Sequence, residues 1–149
     1  MTGVQTCALP ICKVLHEMLQ QKVKNGRKVF FIHGGTDVED RESIRRIIEN
    51  EHNAIIVGSV GVLSTGTNIV ALDNVIFGSP SKSKIRNLQS IGRGLRVSET
   101  KKSATLYDIA DDFSWKAREN FTLKHFFERV KTYSEEKFNF KIYKISMKG

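Results

Sequence analysis

Arg86, Gln89, Arg93 and Arg96 recur at three- or four-residue steps and carry the most informative chemistry in the sequence. On a helix that spacing puts them on one side, with Ile85, Leu88 and Leu95 turned toward a core. Guanidinium groups are planar donors that match phosphate oxygens two at a time, and one set beside a transferring phosphoryl group stabilises the charge of its transition state. Gly92 and Gly94 each cost about 1 kcal/mol relative to Ala inside a helix, so they point to a helix end or to a close approach of the backbone. A solvated basic helix face is the other reading of the same pattern.

Three further segments have compositions suited to phosphate. Val57-Gly58-Ser59-Val60-Gly61-Val62-Leu63-Ser64-Thr65-Gly66-Thr67-Asn68-Ile69 follows a strand pattern and opens a helix. Small residues there would leave backbone N–H groups free to bind phosphate without reading bases, although an ordinary Gly/Ser/Thr loop has the same composition. Phe31-Ile32-His33-Gly34-Gly35-Thr36 turns from strand to loop, and His33 is either a polar contact or a strand-end histidine, with the second favoured. Ser79-Pro80-Ser81-Lys82-Ser83-Lys84-Ile85-Arg86 adds basic charge. Lys82, Lys84 and Arg86 suit phosphate contact or a solvated helix start equally well.

Asp108, Asp111 and Asp112 invite a metal reading, because neighbouring carboxylates hold hard cations. No further acidic or histidine ligand lies close in sequence, so a solvated turn or partners for the basic helix is the expectation. The four histidines lack H-E-x-x-H spacing, and no metal site is expected. Phe126, Phe127, Tyr133 and Phe138 could stack on bases, but the helical spacing of the first two argues for the core.

The elements that must position these residues alternate between short β-rich runs and helical patterns, which predicts an α/β fold with a mainly parallel sheet. A helix is expected over Val14 to Val23, closed by Asn25-Gly26, followed by a strand at Lys28 to His33 buried on both faces. Thr36 and Glu39 have capping-box spacing for a helix from Asp37 to Glu51 whose Ile44, Ile47 and Ile48 form an apolar stripe. Ala54 to Gly58, Asn74 to Phe77 and Ala104 to Ile109 are expected strands, and Gly61 to Asn68 is too polar for core. A helix is expected at about Lys82 to Arg93. Ser114 is the expected cap of a long helix carrying Leu123, Phe126, Phe127 and Val130, and Phe138 to Ile145 alternates like a last strand.

A chain of 149 residues with 40% hydrophobic content supports one domain. Its net charge of +8 at pH 7 favours a polyanionic partner. No stretch is apolar enough to span a bilayer and no secretory signal opens the chain, so no membrane partner and a cytoplasmic location are expected. Cys7 and Cys12 both lie at the start, where they cannot staple the body of the chain. The opening Val4-Gln5-Thr6-Cys7-Ala8-Leu9-Pro10-Ile11 resembles a translated sequencing-adaptor read more than protein. Residues 1–12 are therefore set aside as non-native, with a larger amino-terminal portion expected in their place. Residues 13–113 form the expected domain body and residues 114–149 its helix and strand extension.

Gln89-x-x-Gly92-Arg93-x-x-Arg96 is similar to helicase motif VI, Q-x-x-G-R-x-x-R, while Val57 to Ile69 looks like motif V and Phe31 to Thr36 like motif IV. Together, Val29 to Asp112 resembles the second RecA-like domain of superfamily 2 helicases, in particular the UvsW-type phage recombination helicases. That resemblance implies a three-layer RecA-like fold of the P-loop NTPase type. It further implies an ATP-dependent DNA helicase in which Arg93 and Arg96 act as arginine fingers and Gln89 links the nucleotide site to a DNA-contacting motif. Gly66, Asn68, Gly92 and both arginines would approach ATP; His33, Gly34, Ser59, Thr65, Gly66, Lys82, Lys84 and Arg86 would touch the backbone of DNA, with RNA not excluded. The sequence departs from a whole motor in lacking G-x-x-x-x-G-K-[ST] and a following Asp-Glu pair, so ATP and Mg2+ are expected mainly on an absent amino-terminal RecA-like domain, and this chain alone is expected to be inactive. The host would be a bacterial or phage-infected cell. A non-catalytic nucleic-acid-binding module and an α/β glycosyl- or phosphoryl-transfer domain are the rival readings.

Overall fold

A computed structural model describes residues 2–6, 9–51, 53–59, 62, 72–79, 104–113 and 120–147. Five strands form one sheet: β1 (Thr2–Thr6), β2 (Lys28–Ile32), β3 (Ala54–Ser59), β4 (Asn74–Ser79) and β5 (Thr105–Asp108), in the order β2-β3-β1-β4-β5. Every neighbouring pair runs parallel. Helices α1 (Leu9–Lys22), α2 (Val38–Asn50) and α3 (Phe121–Glu135) complete the described elements.

Alternation along the strands sends side chains to opposite faces and so builds two cores. On one face, Val4, Ile55 and Val57 pack with Cys12, and Leu15, Leu19 and Val23 extend that contact along α1. On the other, Ile32, Ala54, Ile56, Val75 and Phe77 meet Ile48 of α2 and Tyr133 of α3. Helices thus cover both faces of a parallel sheet in three layers, as the alternating sequence pattern and the RecA-like resemblance imply.

α1 ends where expected. Asn25 and Gly26 both take positive φ, 66° and 69°, and redirect the chain into β2.

Several expectations require correction. The opening segment set aside from the fold is the central strand: β1 pairs on both sides, Thr2 opposite Ile55 in β3 and opposite Asn74 in β4. A central strand needs backbone partners on each side and little inward bulk: Val4 is buried in the first cluster, and at Gly3 an added Cβ would come within 3.3 Å of Leu72. β2 ends the sheet, so its burial on both faces is partial: Val29 and Phe31 pack on the first cluster, Phe30 and Ile32 on the second, and only Ile32 is fully buried. α2 is capped at Asp37 without a side-chain cap bond, because Thr36 Oγ1 instead accepts from His33 N. Val62, within the segment judged too polar for core, is buried in the second cluster.

The carboxy-terminal part differs most. α3 starts after Asn120, whose side chain accepts from Thr122 N, rather than after Ser114, which lies outside the described residues. Phe127 is exposed and Phe126 half-buried, since the face α3 turns to the sheet carries Arg129, Thr132 and Tyr133 instead. Phe138 packs against the core, but residues 138–147 form no strand. The alternation there has no partner strand to complete it.

Candidate nucleic-acid and nucleotide interface

Parallel pairing throughout puts the carboxyl ends of all five strands along one edge of the sheet. Loops at that edge are where open α/β sheets bind ligands. The chain leaves it after Ile32 into His33-Gly34-Gly35-Thr36, after Ser59 into the Gly/Ser/Thr segment, and after Ser79 toward the lysines and arginines.

The loop after β2 is held by its own side chains. His33 Nδ1 accepts from Gly35 N at 3.0 Å, His33 N donates to Thr36 Oγ1 at 3.0 Å, and Thr36 N donates to His33 O at 3.0 Å. Arg41, one turn into α2, donates from Nε to Thr36 O at 2.7 Å and from a terminal nitrogen to Gly34 O at 3.3 Å. With Nδ1 accepting, the neutral His33 ring carries its proton on Nε2. The ring also lies 5.1 Å from that of Phe31, which in turn stacks on His16 at 5.4 Å. His33 therefore acts first as a strut at the strand end.

The two glycines of this loop differ. A Cβ at Gly35 would come within 3.2 Å of His33 Cε1, whereas one at Gly34 would meet nothing within 4 Å. Gly34 is exposed, so its backbone is open to an approaching group.

Ser59 ends β3 and is half-buried at the same edge. Of the remaining candidate residues, Thr65, Gly66, Asn68, Lys82, Lys84, Arg86, Gln89, Gly92, Arg93 and Arg96 lie outside the described residues. Of the described ones, His33 and Gly34 follow directly on β2 and Ser59 ends the adjacent β3, the two strands pairing in register from Lys28 and Ala54 to Ile32 and Gly58.

Two features went unread in the sequence. Arg41 was one basic residue among several on an amphipathic helix, and nothing local marks it as a loop clamp. Asp108, expected in a solvated turn or as a partner of the basic helix around Arg93, instead has its side chain buried against α3: Arg129 donates to it through Nε at 2.7 Å and a terminal nitrogen at 2.8 Å, and Tyr133 Oη donates at 2.8 Å. Phe126 lies under the guanidinium, 5.7 Å from ring centre to Cζ. The spacing of Phe126, Arg129 and Tyr133 puts them on one helix face, but their meeting with Asp108 comes only from the packing of α3 on the sheet. Burial, and then the Asp108 carboxylate, push the Tyr133 phenol well above its ordinary value. Among the described residues no three His, Cys, Asp or Glu side chains gather as a metal site.

A parallel sheet with helices on both faces and basic, glycine-bearing segments leaving one edge defines the class: the chain belongs to the helicase conserved C-terminal domain family, whose model matches residues 4–98. It is a superfamily 2 helicase C-terminal domain, the second RecA-like half, and it is close to the UvsW type. The ATP-dependent DNA helicase uvsW of Enterobacteria phage T4 is 37% identical over 123 residues, covering 76% of this chain and 24% of the relative. The chain thus spans about a quarter of that relative's length. Among solved structures, the C-terminal part of the Fun30 ATPase domain is similar with a TM-score of 0.66 and 18% identity, covering 93% of this chain and 48% of the other. Domain 2 of the Mss116p DEAD-box helicase, solved bound to an RNA duplex, has a TM-score of 0.61 at 16% identity over 72% of this chain and 41% of the other. At those identities the likeness speaks for the fold.

Proposed function

We propose that this chain is the C-terminal motor domain of an ATP-dependent DNA helicase or translocase that remodels branched or recombination-intermediate DNA. The observation that carries the reading is the shared edge: the segments resembling motifs IV and V, and the segment leading to motif VI, all leave the sheet on one side. Gly34, Ser59, Thr65, Gly66, Lys82, Lys84 and Arg86 hold the DNA backbone by phosphate, and His33 braces the loop that presents Gly34. The open space at Gly34 and the backbone of its clamped loop suit such contact. DNA is preferred to RNA because the phage relative is named a DNA helicase.

The nucleotide supplies a triphosphate whose cleavage drives opening and closing of the two lobes. It is held with Mg2+ mainly by an amino-terminal RecA-like domain of the natural protein, since this chain has neither the phosphate loop nor the Asp-Glu pair. Arg93 and Arg96 reach over its phosphates, Gln89 couples them to the strand-holding loop, and Gly66, Asn68 and Gly92 allow close approach. The chain alone does not hydrolyse ATP. It works in the cytoplasm of a bacterial or phage-infected cell.

In the full-length protein, Arg93→Ala is expected to abolish DNA-stimulated ATP turnover and leave DNA affinity nearly intact. Unchanged turnover would remove the finger assignment. Because the proposed contacts are to phosphates, affinity should fall steeply and linearly on a logarithmic salt scale and depend little on base sequence. A strong sequence preference would contradict backbone holding.

A further inference from the structure

We infer that the carboxy-terminal arm, with the aromatic side chains around Asp111 and Asp112, is a stacking platform for single-stranded nucleic acid, separate from the motif-bearing loops. From Lys137 to Gly149 the sequence holds four lysines, two phenylalanines and a tyrosine, and no acidic residue. Residues 139–147 are all exposed and outside any strand. Such a segment displays both groups that a sequence-tolerant single-strand site requires, cations for the backbone and ring faces for the bases.

The arm is anchored at its root and passes near Asp112 further along. At its root, the rings of Phe138 and Phe140 lie 6.4 and 6.3 Å from Tyr133, which is itself tied to Asp108. Further along, Lys144 Nζ reaches within 3.9 Å of Asp112. The arm therefore returns to the segment that follows β5, at the sheet edge where all strands end. Three ring-bearing residues are adjacent in sequence to groups anchored there. Phe113 follows Asp112, Tyr143 precedes Lys144, and Phe121 follows Asn120, whose Nδ2 donates to Asp111 O at 2.8 Å. Their exposures are 76%, 76% and 71%, values that place large aromatic surfaces in water with nothing described to cover them.

Charge complementarity decides the occupant. A protein partner could cover the rings, but the unbroken sign of the arm's charge matches a polyanion, and Lys144 offsets the carboxylate of Asp112. The inference deepens the helicase reading by adding a strand contact outside motifs IV to VI, and its test needs no ATP.

The test is titration of the 149-residue chain against a fluorescein-labelled oligothymidylate, read by anisotropy over a series of salt concentrations. Tyr143→Ala is expected to weaken binding about tenfold and Tyr143→Phe to restore it, because stacking needs the ring and not the hydroxyl. Lys141→Ala with Lys144→Ala should flatten the salt slope by about 0.7 for each lysine removed. Parent-like affinity in Tyr143→Ala overturns the platform, and so does a parent chain that does not bind the oligonucleotide. Concentration-dependent self-association relieved by Tyr143→Ala would assign the rings to a second copy and overturn it too. None of these outcomes bears on the fingers, which are judged by ATP turnover of the Arg93 variant.

Discussion

His33 shows how a residue suspected of binding can be committed to its own loop. Its Nδ1 satisfies Gly35 N, and Arg41 satisfies the carbonyls of Gly34 and Thr36, so the turn is held before any partner arrives. Gly35→Ala is expected to push the imidazole aside, because the added Cβ sits 3.2 Å from it, while Gly34→Ala is accommodated in open space. Thermal unfolding should separate the two: the Gly35 variant loses about 1 kcal/mol, the worth of one intramolecular hydrogen bond, and the Gly34 variant changes little. Equal loss in both would show that the loop needs glycine for another reason.

At the scale of elements, α3 is joined to the sheet by a buried charge pair and not by the aromatic stripe read from its periodicity. Arg129 and Asp108 are 4% and 8% exposed, and deleting one partner strands the other in the interior. Asp108→Ala or Arg129→Met is expected to cost about 3–5 kcal/mol in urea unfolding. Tyr133→Phe should cost less, about 1 kcal/mol for one bond to a shared acceptor. Since the folded phenol has a raised pKa, the protonated form is favoured in the fold. That stability is complete below the ordinary tyrosine pKa of about 10 and is lost as pH climbs above it. Alkaline titration of stability should show this loss in the parent and its reduction in Tyr133→Phe. The strands β3 and β4 were legible because short apolar runs between turn residues admit few other structures. The ion pair was not, because its partners are 21 positions apart and become neighbours only through tertiary packing. Residues 138–147 alternate as a strand does, yet alternation cannot state whether an edge is available to pair with.

For the whole molecule, position in the sheet outweighs composition. β1 was set aside for its resemblance to an adaptor read, yet it bridges the two halves of the sheet, β2-β3 on one side and β4-β5 on the other. Removing residues 2–6 should leave β3 and β4 with unpaired edges, abolish cooperative unfolding and promote aggregation, as followed by circular dichroism and light scattering. A deletion variant that still melts in one sharp transition would show the two halves joining without it. The motif order was legible without coordinates, because the glycines, arginines and Gln89 are spaced in the primary structure. That the exits of their loops share an edge follows only from the parallel register. The same register sets a timetable for a chain emerging from the ribosome. Thr2 finds Ile55 and Asn74 as its neighbours, so the first strand of this sheet must wait for partners synthesised some fifty and seventy residues later. Until then it is an orphan with two open sides, and the newborn domain depends on quick completion or on a chaperone to shield it.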